Sequence, residues 1–165
     1  MSLIAFGMLI FSSEEEKIKA RQQKVSMTGC YMRTEQEVAK NTFKVLEELF
    51  SQSDFYSEAF EFSDGPKDNT ASELLAPKYY CELNREWKEK TPTLFERLNL
   101  VQFFLEEIFV LKKPLMIKLC ISEQGYPLLS DCKILDVSLN QLSQKLYEEF
   151  EQYGETPTLL ITIRY

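Results

Sequence analysis

Nine residues near the start of the chain, Leu3-Ile4-Ala5-Phe6-Gly7-Met8-Leu9-Ile10-Phe11, contain no charge and no proline. A strand of this composition has nothing with which to blunt a free edge, so it must be central, covered or shared with another chain. The run is far too short to span a bilayer, which takes about 20 apolar residues in a helix. It also lacks the basic segment of a secretory leader and gives way to Ser12-Ser13-Glu14-Glu15-Glu16 rather than to a small-residue cleavage site. A buried strand inside a sheet is the expectation, and a processed or truncated N-terminus is the lesser alternative.

The partners of that strand are sought in the rest of the chain. Residues 13 to 23 are polar apart from Ile18 and Ala20, which suits a short solvated helix with acids at its start or an irregular connector. Val25, Met27 and Tyr31 suggest a second strand interrupted by Gly29. Thr34-x-x-Glu37 then opens a helix over about 35 to 51, with Ala39, Phe43, Leu46 and Phe50 on one stripe. Residues 55 to 63 alternate in part and predict a strand ending at Asp64-Gly65-Pro66, while 79 to 87 are read as a strand although Leu83 and Trp87 also suit a helix. Thr91-Pro92-Thr93-Leu94-Phe95-Glu96 is a helix start with a capping box, and that helix runs to about Leu111. Leu94, Leu98, Val101, Leu105 and Ile108 form its inner stripe. Phe95, Phe103, Phe104 and Phe109 widen the stripe until little polar face is left, so it is expected to be the central core helix.

Pro114 ends that helix. Leu115, Ile117, Leu119 and Ile121 then alternate as a strand, and residues 132 to 137 form a short one, predicted to pair with it as an antiparallel hairpin. Ser138-x-x-Gln141 opens a last helix with Leu139, Leu142, Leu146 and Phe150 inward, terminated near Gly154, and residues 158 to 165 close the chain as a strand. The expected fold class is α+β: residues 1–165 as one domain, with two or three helices packed on an antiparallel or mixed sheet. The α-β-β-α-β order from 94 onward, completed by the strand at 55 to 63, matches the element order of the ferredoxin-like fold, an analogy that licenses no function.

Composition narrows the chemistry. The 165 residues contain no histidine. Ser-His-Asp and Cys-His catalysis and the common histidine metal sites are thereby closed, leaving carboxylate, lysine, tyrosine or cysteine chemistry, or binding. The glycines, at 7, 29, 65, 125 and 154, are too dispersed for a phosphate-cradling loop. Cys30, Cys81, Cys120 and Cys132 show no CxxC spacing. They read as reduced, mostly buried thiols in a cytoplasmic compartment, although a Cys120–Cys132 bridge across the predicted hairpin is sterically conceivable. No cofactor or metal is indicated. The loop acids Asp64 with Asp68, or Asp131 with Asp136, lie near strand ends where an acid–base or metal site can form, but loops use Asp for turn formation alone. Glu47-Glu48, Glu106-Glu107 and Glu148-Glu149 with Glu151 are read as solvated helix faces.

A net charge of −7 argues against unaided binding to nucleic acid or to an anionic membrane; it is compatible with a basic protein partner, and equally with acidity that only keeps the chain in solution. Aromatics are abundant at 13% of residues, and between Phe55 and Trp87 they alternate with acids. Buried aromatic anchors surrounded by steering charges are the composition of an interface hot spot. The candidate partner-binding residues are Glu58, Glu61, Asp64, Asp68, Tyr79, Tyr80 and Trp87. A Tyr-Tyr pair on a strand points one ring to each face, so both are not easily buried. The leading expectation is a non-catalytic acidic domain that docks on a basic protein, as an inhibitor or immunity-type antidote masks a nuclease or other toxin. The second is an assembly subunit or homo-oligomer that pairs through a sheet edge or the N-terminal strand. The third is a carboxylate-dependent hydrolase or metal enzyme.

Overall fold

The computed structural model describes residues 4–25, 31–34, 48–49, 56–63, 94–122, 127–153 and 158–165. The charge-free N-terminal run forms β1 (Ile4–Ile10), and of the three placements its composition allows it takes the central one. On one side it pairs antiparallel with β3 (Ser57–Ser63), with Gly7 opposite Phe60. On the other it pairs antiparallel with β4 (Met116–Ser122), with Phe6 opposite Cys120 and Leu9 opposite Ile117. The outer strands are β2 (Tyr31–Thr34), which lies against β3, and β5 (Lys133–Ser138), which lies parallel to β6 (Leu159–Arg164). The resulting mixed six-stranded order is β2-β3-β1-β4-β6-β5.

Both faces of β1 are buried. Ala5 and Leu9 join the larger core with Phe60, Ile117, Leu119, Ile121, Leu159, Ile161 and Ile163. That core is closed by α1 (Glu14–Arg21), α2 (Leu94–Lys112) and α3 (Leu142–Tyr153), which contribute Ala20, then Leu98, Val101, Phe104, Leu105 and Ile108, then Leu142, Leu146 and Phe150. Phe6, Met8 and Ile10 face the opposite way, into a second cluster with Ala59, Cys120, Leu160 and the helical residue Leu49. Leu49 falls within the helix expected over 35 to 51, most of which lies outside the described residues.

Local chemistry accounts for the element ends. Ser13 caps α1 by accepting the Glu16 backbone N–H at 3.1 Å, and three acids occupy the first turn of α1, where the helix dipole favours them. α2 ends where Lys113 enters the left-handed region at φ 53°, directly before Pro114, which has no backbone N–H to continue a helix. Of the expected second strand, Tyr31 lies in β2 and Val25 lies in no strand, while Met27 and Gly29 lie outside the described residues.

The expected hairpin between the strands at 115 to 121 and 132 to 137 does not form. β6 lies between β4 and β5, antiparallel to the first and parallel to the second. The physical reason is burial. β6 offers Leu159, Leu160, Ile161 and Ile163, all buried, whereas β5 buries only Leu135 and Val137 and exposes Lys133, Ile134, Asp136 and Ser138. The richer strand takes the interior position and the half-polar one the edge. The strand order is therefore not ferredoxin-like, although the α+β class stands.

Gly7 is required where three strands meet. A Cβ there would run into the Lys118 carbonyl oxygen and stand 2.9 Å from Phe60 Cζ. Gly7→Ala should lower the urea midpoint by the equivalent of about 1–3 kcal/mol or more, the cost of overpacking a filled core, with an unchanged slope.

Candidate functional site

Two of the seven residues expected to meet a partner lie in the described part, and neither is available to one. Glu58 and Glu61 on β3 are only 4% and 2% exposed. They are three residues apart on a strand, so they point to opposite faces. Glu58 lies opposite Leu9 on the helix side, and Glu61 lies opposite Phe6 on the other. The alternation that suggested a half-exposed strand belongs instead to an interior strand covered on both faces. Asp64, Asp68, Tyr79, Tyr80 and Trp87 lie outside the described residues.

Glu58 belongs to a charge cluster beneath α1. Arg21 Nε stands 3.5 Å from Glu58 Oε1, and the buried Lys112 at the end of α2 donates from Nζ to the Ala20 carbonyl at 2.8 Å. Burial holds the Lys112 ammonium below its ordinary pKa, and the Glu58 charge offsets part of that shift. Ala20 is the buried residue of α1, so polar contacts do much of the work of fastening this helix to the core.

A third interior acid departs from the solvated helix face expected of it. Glu149 of α3 is 3% exposed and accepts from Lys133 Nζ at 2.9 and 2.8 Å, with Lys145 Nζ 3.8 Å away. It ties α3 to the edge strand rather than lining a solvated face. Glu148 beside it is exposed, as are Glu48 and Glu106. Asp136 is held by Arg164 Nη1 at 2.8 and 2.6 Å on β6, while Asp131 is exposed in the 3-10 turn Leu129–Asp131. Among the described residues, no three His, Cys, Asp or Glu side chains gather as a metal site would require.

Cys120, in the second core cluster, and Cys132, packed against it, are free thiols; β6 lies between β4 and β5, so the two do not face each other across a hairpin, yet their side chains hydrogen-bond to each other. Burial pushes the Cys120 thiol well up, with a smaller contribution from Cys132, and burial also raises Cys132. Neither is primed as a thiolate nucleophile.

Among the described residues, the outer side of α2 is an open, partly apolar surface. Phe103 is 53% exposed and Val110 51%, and their seven-residue spacing puts both on one side of the helix. Glu96, Asn99 and Glu106 share that side and are exposed, with Glu107 half-buried beside them. The sequence showed that α2 carries too many apolar residues for one stripe. The structure shows that Phe104 and Phe109 are the surplus that goes inward, while Phe95 and Phe103 stay out.

Next to this face is a cavity of about 370 Å³, lined by Gln102 and Glu106 of α2, Ser138, Leu139 and Asn140 where β5 meets α3, and Tyr165 beyond β6. Its walls are braced. The Ser143 backbone N–H donates to Gln102 Oε1 at 2.8 Å, and the Tyr165 ring packs on Phe109 with centroids 5.4 Å apart at 48°. Farther along α2, Phe95 meets Tyr147 of α3 edge-on at 5.5 Å.

No family model, curated protein or solved structure matches this chain. No helix among the described residues is long and apolar enough to cross a membrane.

The Lys112 environment has a consequence that pH titration reads. Between its lowered pKa and 10.5 the unfolded chain binds more protons than the folded one, so stability rises with pH across that window. Lys112→Met should flatten this alkaline rise, as measured by urea unfolding between about pH 7 and pH 10.5.

Proposed function

We propose that this chain is a non-catalytic acidic protein-binding domain that docks on a basic protein through the outer face of α2, as an inhibitor or antidote masks a nuclease or toxin. The observation that carries the reading is the pair of exposed side chains Phe103 and Val110 set among Glu96, Glu106 and Glu107. A helix that is apolar nearly all round is normally buried all round. Here one side is open, and its apolar centre has an acidic rim. Such a rim speeds encounter with a cationic partner, and the centre then excludes water from the contact. Self-association through the same face would set acid against acid. The net charge of −7 favours the same class of partner.

A second reading, assembly through a sheet edge, is favoured by β5. Among the described residues this strand pairs only with β6, and it leaves Ile134 68% exposed. The N-terminal strand, being central, is not the pairing element.

Capture from a lysate of the source cells, wild type against Phe103→Glu, tests the proposal. A substitution at so exposed a position should change stability by no more than about 0.5 kcal/mol, so lost capture reports docking. The expected result is one stoichiometric basic protein, retained near physiological salt, released at about 1 M where the screening length is roughly 3 Å, and absent from the variant. Equal capture by wild type and variant overturns docking on α2. Recovery of the chain's own copies alone supports assembly.

A further inference from the structure

We infer that the cavity between α2 and the start of α3 receives a cationic side chain of the partner, an arginine guanidinium in preference to a lysine ammonium. This rests on the docking reading and specifies what that surface recognises. Among the described lining side chains Glu106 is the acid, and none is basic. It also stands on the open face of α2, about one turn from both Phe103 and Val110. A partner can therefore cover the apolar side chains and place a neighbouring cation in the cavity in a single contact.

The remaining walls suit a planar donor. Ser138 and Asn140 bring a hydroxyl and an amide oxygen as acceptors, and Tyr165, 74% exposed and backed by Phe109, can offer a ring face. The Ser143 amide near the start of α3, a donor that would attract an anion, is already taken by Gln102 Oε1 at 2.8 Å. A guanidinium brings five donors in one plane, stacks on aromatic rings and is weakly hydrated, whereas an ammonium is a strongly hydrated point charge. An anionic ligand would meet Glu106, and an apolar one would strip water from the polar walls without replacing its hydrogen bonds.

The test is an NMR titration of the full chain with N-acetyl-arginine amide, run beside its neutral isostere N-acetyl-citrulline amide. The expected result is saturable shifts confined to the amides of Leu139 and Asn140 and the side-chain amide of Gln102. Citrulline should produce none, and Glu106→Gln should bind at least about tenfold more weakly, the scale of one charge-assisted hydrogen bond. Absence of shifts at the cavity, equal binding of citrulline, or unchanged binding in Glu106→Gln each overturns the assignment. Capture of a basic partner by a chain that fails to bind the arginine amide overturns this inference and leaves docking on α2 standing. Arginine binding with no basic partner captured keeps the cavity as a guanidinium site and overturns the docking reading.

Discussion

β1 is hydrogen-bonded along both edges and buried on both faces, and the rest of the structure is arranged to satisfy it. Its two neighbours, β3 and β4, approach closely enough that Gly7 has no room for a side chain between Phe60 and the Lys118 carbonyl. Its odd-numbered residues call for the helical layer of α1, α2 and α3, and its even-numbered residues for the smaller cluster that contains Leu49. A charge on this strand would have no solvent to reach, and burying one unpaired costs several kcal/mol. The absence of any charge between Leu3 and Phe11 is the counterpart of that position.

The interior nevertheless holds charges, and where they sit explains what remains outside. Glu58 and Glu149 lie against cations that come from other elements, Arg21 on α1 and Lys133 on β5. Each fixes a peripheral element to the core: the short polar helix α1 in one case and α3 against the edge strand in the other. Acids used inside in this way cannot steer a partner. Of the acids on the surface of the helical layer, Glu96, Glu106 and Glu107 flank the open apolar side of α2.

Most of the helices and strands in the described residues were legible from periodicity. The stripe of Leu98, Val101, Leu105 and Ile108 and the alternation of Ile117, Leu119 and Ile121 are buried as their spacing predicts. Strand pairing was not legible, because local sequence places β4 and β5 next to each other along the chain, while the sheet ranks strands by how much apolar surface each must hide. The candidate site was less legible still. Glu58 and Glu61 read as the polar positions of a half-exposed strand, and nothing within β3 itself discloses that helices cover one face and Leu49's cluster the other. The same limit applies to Glu149, whose partner Lys133 is 16 residues away on another element.

By itself the sequence determined that β1 cannot stand as a free edge, that histidine chemistry is closed, and that the helices from Leu94 and from Leu142 carry apolar stripes. These follow from residue type and from spacing within one element, which are properties of a chain before it folds. Only the tertiary structure decided that β6 separates β4 from β5, that two acids are internal ion-pair partners, and that Phe103 and Val110 face solvent beside a polar cavity. Those outcomes depend on which surfaces of different elements compete to be buried against one another, a competition that no single element settles.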